Sequence, residues 1–113
     1  MNKTISVNDL KILMESQTTF TLIEALPKSY YDAEHLPNAI NIPNEAIIKS
    51  AQDQLPDKQA TIVVYCASSE CKNSQLAADD LRSLGYTNVH EFTEGKQAWK
   101  DAGLPLQPQE NAK

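Results

Sequence analysis

Apolar positions along the chain fall into short sets whose spacing switches between helical and extended. Ser6 opens S-V-N-D, an N-cap with an acid three residues on, and Val7, Leu10, Leu13 and Met14 follow at helix spacing. Phe20 to Ala25 is short and β-rich, a predicted strand ended by Leu26-Pro27. Ser29 to Glu34 predicts one or two helical turns. Prolines at 37 and 43 leave only a short strand between them, over Ala39 to Ile42. Asn44 is placed to cap a helix through about Ser50, and residues 52–60 read as a connector. Thr61-Ile-Val-Val-Tyr65 is continuously apolar and β-branched, the pattern of a strand covered on both faces. Leu76, Ala77, Leu81 and Leu84 predict an amphipathic helix over 73–84, closed by Gly85. Asn88 to Phe92 is another strand. A last helix starts at Thr93 or Glu94, holds Ala98 and Trp99, and stops at Gly103-Leu-Pro105.

Strands therefore alternate with helices, which predicts an α/β fold: a mostly parallel sheet with helices on both faces. Residues 1–105 form the expected domain, and residues 106–113 read as a polar tail. In such sheets binding crevices lie beyond the carboxyl ends of the strands. Cys66 stands at one of those ends, and the only other cysteine, Cys71, follows five residues later.

Composition narrows the partners. A length of 113 residues suits one domain with its own core. The net charge of −5 argues against nucleic acid or an anionic membrane surface as partner. No run approaches the ~20 apolar residues of a membrane span, and the first residues lack the apolar core of a signal peptide, so a cytoplasmic protein is expected. Two cysteines this close make a poor disulfide framework and point to reactive thiols in a reducing compartment rather than a staple. The plainer alternative is a pair of buried structural cysteines. A bond between them requires Cα atoms within ~7 Å, which a curled loop permits.

The segment Ala67-Ser-Ser-Glu-Cys-Lys72 joins strand to helix. Its amides, and the first amides of the helix, have no intrahelical acceptors and can face an anion. The helix dipole adds roughly half a positive charge. A thiolate at Cys66 would be stabilised there, and the small Ala67, Ser68 and Ser69 let the loop curl around it. Lys72 brings a cation to the rim, and Glu70 partly cancels it. The spacing Cys66-x5-Lys72 also matches the Cys-x5-Arg loop of tyrosine phosphatases and arsenate reductases, although lysine replaces arginine's bidentate fork poorly.

Over residues 6–106 the chain resembles a single-domain rhodanese-like protein, of a subgroup with two cysteines in its active loop. The landmarks are Leu22-Ile-Glu-Ala25, His35-Leu-Pro-Asn-Ala-Ile-Asn-Ile-Pro43, Val63-Val-Tyr-Cys66, Leu84-Gly-Tyr-Thr-Asn-Val89, Gly95-Lys-Gln-Ala-Trp99 and Gly103-Leu-Pro105. The resemblance implies the family's three-layer fold and a sulfurtransferase or sulfane-sulfur carrier. A donor such as thiosulfate or a persulfide would load sulfur on Cys66, the catalytic nucleophile, and a thiol or a protein would accept it. Ala67, Ser68, Ser69, Glu70, Cys71 and Lys72 would form the active-site loop. No cofactor or metal is implied. The chain departs from the family at Glu24-Ala25-Leu26, where Asp-Val-Arg is usual, and at Glu34, Asn38 and Glu94, where glycines are usual. The loop lacks the common Gly and final Arg, which favours as an alternative a redox or non-catalytic binding module.

Cys71 is the candidate resolving thiol, able to attack a persulfide on Cys66 and release sulfide, or it is a small side chain tucked under the helix start. His35 reads as structural, His90 as a surface residue, and Tyr65 and Trp99 as core. The histidine and cysteine spacing fits no zinc finger. Glu24 with Asp32 or Glu34 forms no carboxylate pair suited to acid–base work.

Overall fold

Ser6 caps the first helix as expected: its hydroxyl accepts from the Asp9 amide at 3.1 Å, and α1 runs Val7–Glu15. The computed structural model describes residues 4–16, 18–68 and 70–107. The elements that follow are β1 (Thr21–Glu24), α2 (Lys28–Ala33), β2 (Ile40–Asn41), a 3-10 turn (Asn44–Ala46), α3 (Ile47–Gln54), β3 (Ile62–Tyr65), α4 (Asn73–Ser83), β4 (Val89–Phe92) and α5 (Gly95–Asp101). The four strands form one sheet in the order β2-β1-β3-β4, and every pair is parallel. This is the α/β, three-layer architecture predicted.

The period-2 alternation of the strands sorts their side chains into two cores. Ile23, Ile62, Val64 and Val89 face α3 and α4, where Ile47, Ala51, Ala77, Ala78 and Leu81 cover them. Leu22, Val63, Tyr65 and Phe92 face the other way, onto Leu10 of α1 and Trp99 of α5. β3 is central, so all four of its residues are buried, as its unbroken apolar run requires.

Three local expectations differ. Asn44 makes no side-chain cap; it opens the 3-10 turn, and α3 continues to Gln54, four residues beyond the expected end. The extension buries Ala51 and Leu55, whose carbonyls accept from the Tyr86 hydroxyl. In α4, Leu76 points to solvent at 50% exposure, and Ser74 occupies the buried stripe instead. Asn38 sits at φ +67°, a left-handed conformation that Asn tolerates better than other side chains. Leu106 packs on the α1/α5 core, and Gln107 exchanges backbone hydrogen bonds with His35 at 3.0 and 2.8 Å. The rest of the polar tail, 108–113, lies outside the described residues. Among the described residues no helix is long and apolar enough to cross a membrane.

Candidate active site

Cys66 follows directly on β3 and is buried, 1% exposed. Its neighbourhood is pinned from two sides. The Ala25 amide, beyond β1, donates to the Tyr65 carbonyl at 2.9 Å. At the start of α5, the Lys96 and Gln97 amides donate to the Cys66 and Ala67 carbonyls, both at 2.8 Å. These helix amides have no intrahelical acceptor, so the loop carbonyls satisfy them. Gly95 makes the approach possible: it sits at φ +74°, and a Cβ there would stand 2.7 Å from the Cys66 carbonyl oxygen and 2.8 Å from the Ser68 nitrogen.

Cys66 and Cys71 are joined as a disulfide, with Cα atoms 6.3 Å apart. This corrects the expectation of two free thiols: the loop curls tightly enough to meet the geometric limit. The Cys71 amide donates to the Ser68 carbonyl at 3.1 Å, which closes the curl. The expected cradle of amides from Ala67 to Lys72 is thereby reduced, because the Cys71 amide already has an acceptor. Ala67 and Ser68 are half-buried, while Glu70 and Lys72 are exposed on the rim. Ser69 lies outside the described residues.

Two polar side chains that the local sequence pattern does not single out lie beneath the cysteine. Ser74, in the first turn of α4, has its Oγ 3.7 Å from Cys66 Sγ and donates to Glu91 Oε2 at 3.1 Å. Ser74 is 1% exposed and Glu91 6%. Glu91 pairs with Val64 in the sheet and shares the face of Val89, two residues earlier, so it projects onto the apolar α4 face. An acid inside the alternating strand Val89-His-Glu-Phe92, at a position facing the core, was the available signal.

A second buried network ties α5 and β3 to β1 and α2. Glu24, wholly buried, accepts from Lys96 Nζ at 3.1 Å and from the Tyr65 hydroxyl at 2.7 Å. Lys96 Nζ also donates to the carbonyls of Tyr30 and Glu34. Burial, and then the charge of Glu24, push the Tyr65 hydroxyl far above its usual range, so it stays a donor. Glu24 thus pairs with a cation, and the sequence had assigned it no partner. A cavity of about 200 Å³ opens beside this network, lined by Tyr30, Glu34, Ala67, Gln97 and Lys100, among others. Lys100 and Glu34 pair across its rim at 3.0 Å. His35 stacks on Tyr31 with ring centroids 3.9 Å apart, and its Nδ1 meets the Tyr31 carbonyl at 2.8 Å, a structural placement. His90 is half-buried and turned to the face opposite Glu91, and its Nε2 lies 2.9 Å from Asn88 Oδ1. Among the described residues, no three His, Cys, Asp or Glu side chains are grouped to hold a metal ion.

A sequence model described as a rhodanese-like domain matches residues 6–102. The chain is 32% identical over 103 residues to the adenylyltransferase and sulfurtransferase of Candida albicans, covering 86% of this chain and 23% of that protein. It therefore spans about a quarter of the length of such fungal relatives. It is 35% identical over 75 residues to the thiosulfate sulfurtransferase PspE of Escherichia coli, 66% of each chain. Among solved structures, a rhodanese-like domain from an Anabaena protein superposes over all of this chain and 85% of that one, with TM-score 0.85 and 30% identity. A Bacillus halodurans protein, 23% identical, shares the fold with TM-score 0.86 over 96% of this chain and 78% of its own.

Proposed function

The chain belongs to the rhodanese-like domain family, whose curated relatives include sulfurtransferases, and on that premise we propose that it carries sulfane sulfur as a persulfide on Cys66. The observation that supports this most is the placement of Cys66: it directly follows the central parallel strand, its backbone carbonyl is clamped by α5, and its sulfur meets that of Cys71 five residues on. In the reduced protein the Cys66 thiolate attacks the outer sulfur of a donor such as thiosulfate. The donor S–S bond breaks, sulfite leaves with the electron pair, and Cys66–S–S⁻ remains. A small thiol or a protein thiol then attacks the outer sulfur and takes it away.

Cys71 gives this two-cysteine loop a second exit. Its thiol attacks Cys66 Sγ and gives its proton to the outer sulfur, which leaves with the S–S electron pair as hydrosulfide, so the disulfide between the two residues remains. An external dithiol must reduce that bond before the next cycle, which suits a reducing cytoplasm. The disulfide itself favours a second reading, a redox module that cycles between dithiol and disulfide without sulfur transfer. The phosphatase-like reading finds less support, because Lys72 is exposed at the rim rather than turned in as an arginine would be.

Intact mass separates the first two readings. Reduced protein incubated with thiosulfate should gain one sulfur, the gain should vanish in Cys66→Ser, and Cys71→Ser should hold it longer. If no sulfur is gained while reduced Cys66 is readily alkylated, sulfur transfer from thiosulfate is wrong and the redox reading takes its place.

A further inference from the structure

Glu91 is a carboxylate buried on an apolar sheet face, and its described side-chain partner is Ser74, which in turn touches Cys66 Sγ. A carboxylate in such a place is costly unless it meets a donor or a proton. The three atoms form a line: sulfur to hydroxyl 3.7 Å, hydroxyl to carboxylate 3.1 Å. The strand alternation explains the line, because Cys66 continues the Ile62/Val64 face of β3 and Glu91 lies beside Val64 on the same face.

Other charges near this face are engaged or turned away. β3 contributes Val64 and no charge. On α4, Arg82 is bonded to Asp79 and to the Val89 carbonyl, Asp80 is half-buried, and Asp79 is exposed. Lys96 of α5 is held by Glu24, and Glu94, two residues before it, is exposed. Glu70 and Lys72 of the loop are exposed, and His90 alternates to the opposite face. A thiolate at Cys66 and a carboxylate at Glu91 would therefore stand close together in a poorly solvated site with little compensation. Two anions so placed do not ionise independently.

We propose that, in the reduced protein, Cys66 and Glu91 hold one proton between them, passed through the hydroxyl of Ser74. When the thiol ionises, its proton goes to Ser74 Oγ as the Ser74 proton goes to Glu91 Oε2, and no proton leaves for solvent. When an acceptor thiolate takes the outer sulfur of a Cys66 persulfide, the S–S electron pair returns to Cys66 Sγ, and the stored proton returns along the same line. When Cys71 attacks instead, hydrosulfide is the group that takes the proton. Glu91 touches no reacting atom and acts through Ser74. These consequences for sulfur transfer rest on the persulfide reading; the shared proton does not.

The test needs no sulfur donor, so it can fail or succeed whatever becomes of that reading. In a Cys71→Ser background Cys66 is the sole cysteine, and its rate of alkylation by iodoacetamide is followed by mass across pH. A shared proton gives a profile with two rises: a partial one when the pair loses its first proton, and a full one when it loses the second. Glu91→Gln should collapse the profile to one rise lying below the upper parental one, with faster alkylation in the plateau region. Ser74→Ala should also leave one rise, displaced the opposite way, at or above the upper parental one. A single rise in the parent, or two rises that persist in both variants, would overturn the proposal. Should Glu91→Gln fail to fold, the parental profile and Ser74→Ala decide the matter.

Discussion

Replacing Lys96 by methionine keeps the length of the side chain and removes the cation that faces Glu24. In the native protein Lys96 Nζ is 3.1 Å from Glu24 Oε2, with the two side chains 9% and 0% exposed, so solvent cannot screen what is lost. Breaking a buried pair by removing one partner costs about 3–5 kcal/mol, mostly because the other charge stays buried and uncompensated. The Tyr65 hydroxyl still donates to Oε1 at 2.7 Å, which favours the lower end, about 3 kcal/mol. An unfolding entropy of about 2.1 cal/mol/K per residue over 113 residues is about 0.24 kcal/mol/K, so the expected fall in Tm is about 13 °C. Thermal unfolding followed by circular dichroism measures it. The loss should also depend on pH. In the variant the charged form of Glu24 is penalised only when folded, so the folded state takes up a proton more readily than the unfolded chain. Stability relative to the native protein is then partly regained as pH falls and lost again as it rises. Glu24→Gln combined with Lys96→Met should recover most of the loss, because no charge is left buried. A fall below about 1 kcal/mol, independent of pH and not relieved by the second substitution, would refute the argument.

Gly95→Ala should cost more than Gly85→Ala although both glycines have positive φ. A Cβ at Gly95 meets the Cys66 carbonyl oxygen at 2.7 Å, whereas at Gly85 the nearest atom is Lys58 Cδ at 3.6 Å. The Gly85 change should cost about 1 kcal/mol and the Gly95 change upwards of about 3 kcal/mol in chemical denaturation, with Cys66 alkylation altered only by the latter. Tyr65→Phe removes the donor to Glu24 and the acceptor of the Leu36 amide, and should lower stability by about 2 kcal/mol with the fold intact by circular dichroism. Reducing the disulfide should cost about 2 kcal/mol or less, because the bond spans only five positions and constrains the unfolded chain little. A much larger fall on reduction would mean that the bond is a structural staple rather than part of a working cycle.

Local period and punctuation were enough to place the elements in order, though not the end of α3 or the buried stripe of α4. The unbroken run Thr61 to Tyr65 marks the central strand, Ser6 and Gly85 mark helix ends, and alternation of elements gives a parallel sheet with helices on both faces. The same logic puts Cys66 at the carboxyl end of a strand, since chain direction and strand length are local properties. What local pattern cannot supply is which polar side chains from distant elements meet. Glu24 and Lys96 are 72 positions apart, and Ser74 and Glu91 17 apart; each alone is an ordinary charged or polar residue. Leu76 satisfied helix periodicity and is nevertheless exposed, because the sheet beneath α4 presents Glu91 and Cys66, and Ser74 faces them in its place. The length of α3 is not legible locally for a similar reason: its last turn is held by Leu55 and Tyr86 meeting across the core. Sequence by itself determined the elements, their order and the position of the sulfur. Tertiary structure decided the disulfide, the ion pair and the Ser74–Glu91 line, because each depends on a distance between side chains that packing alone sets.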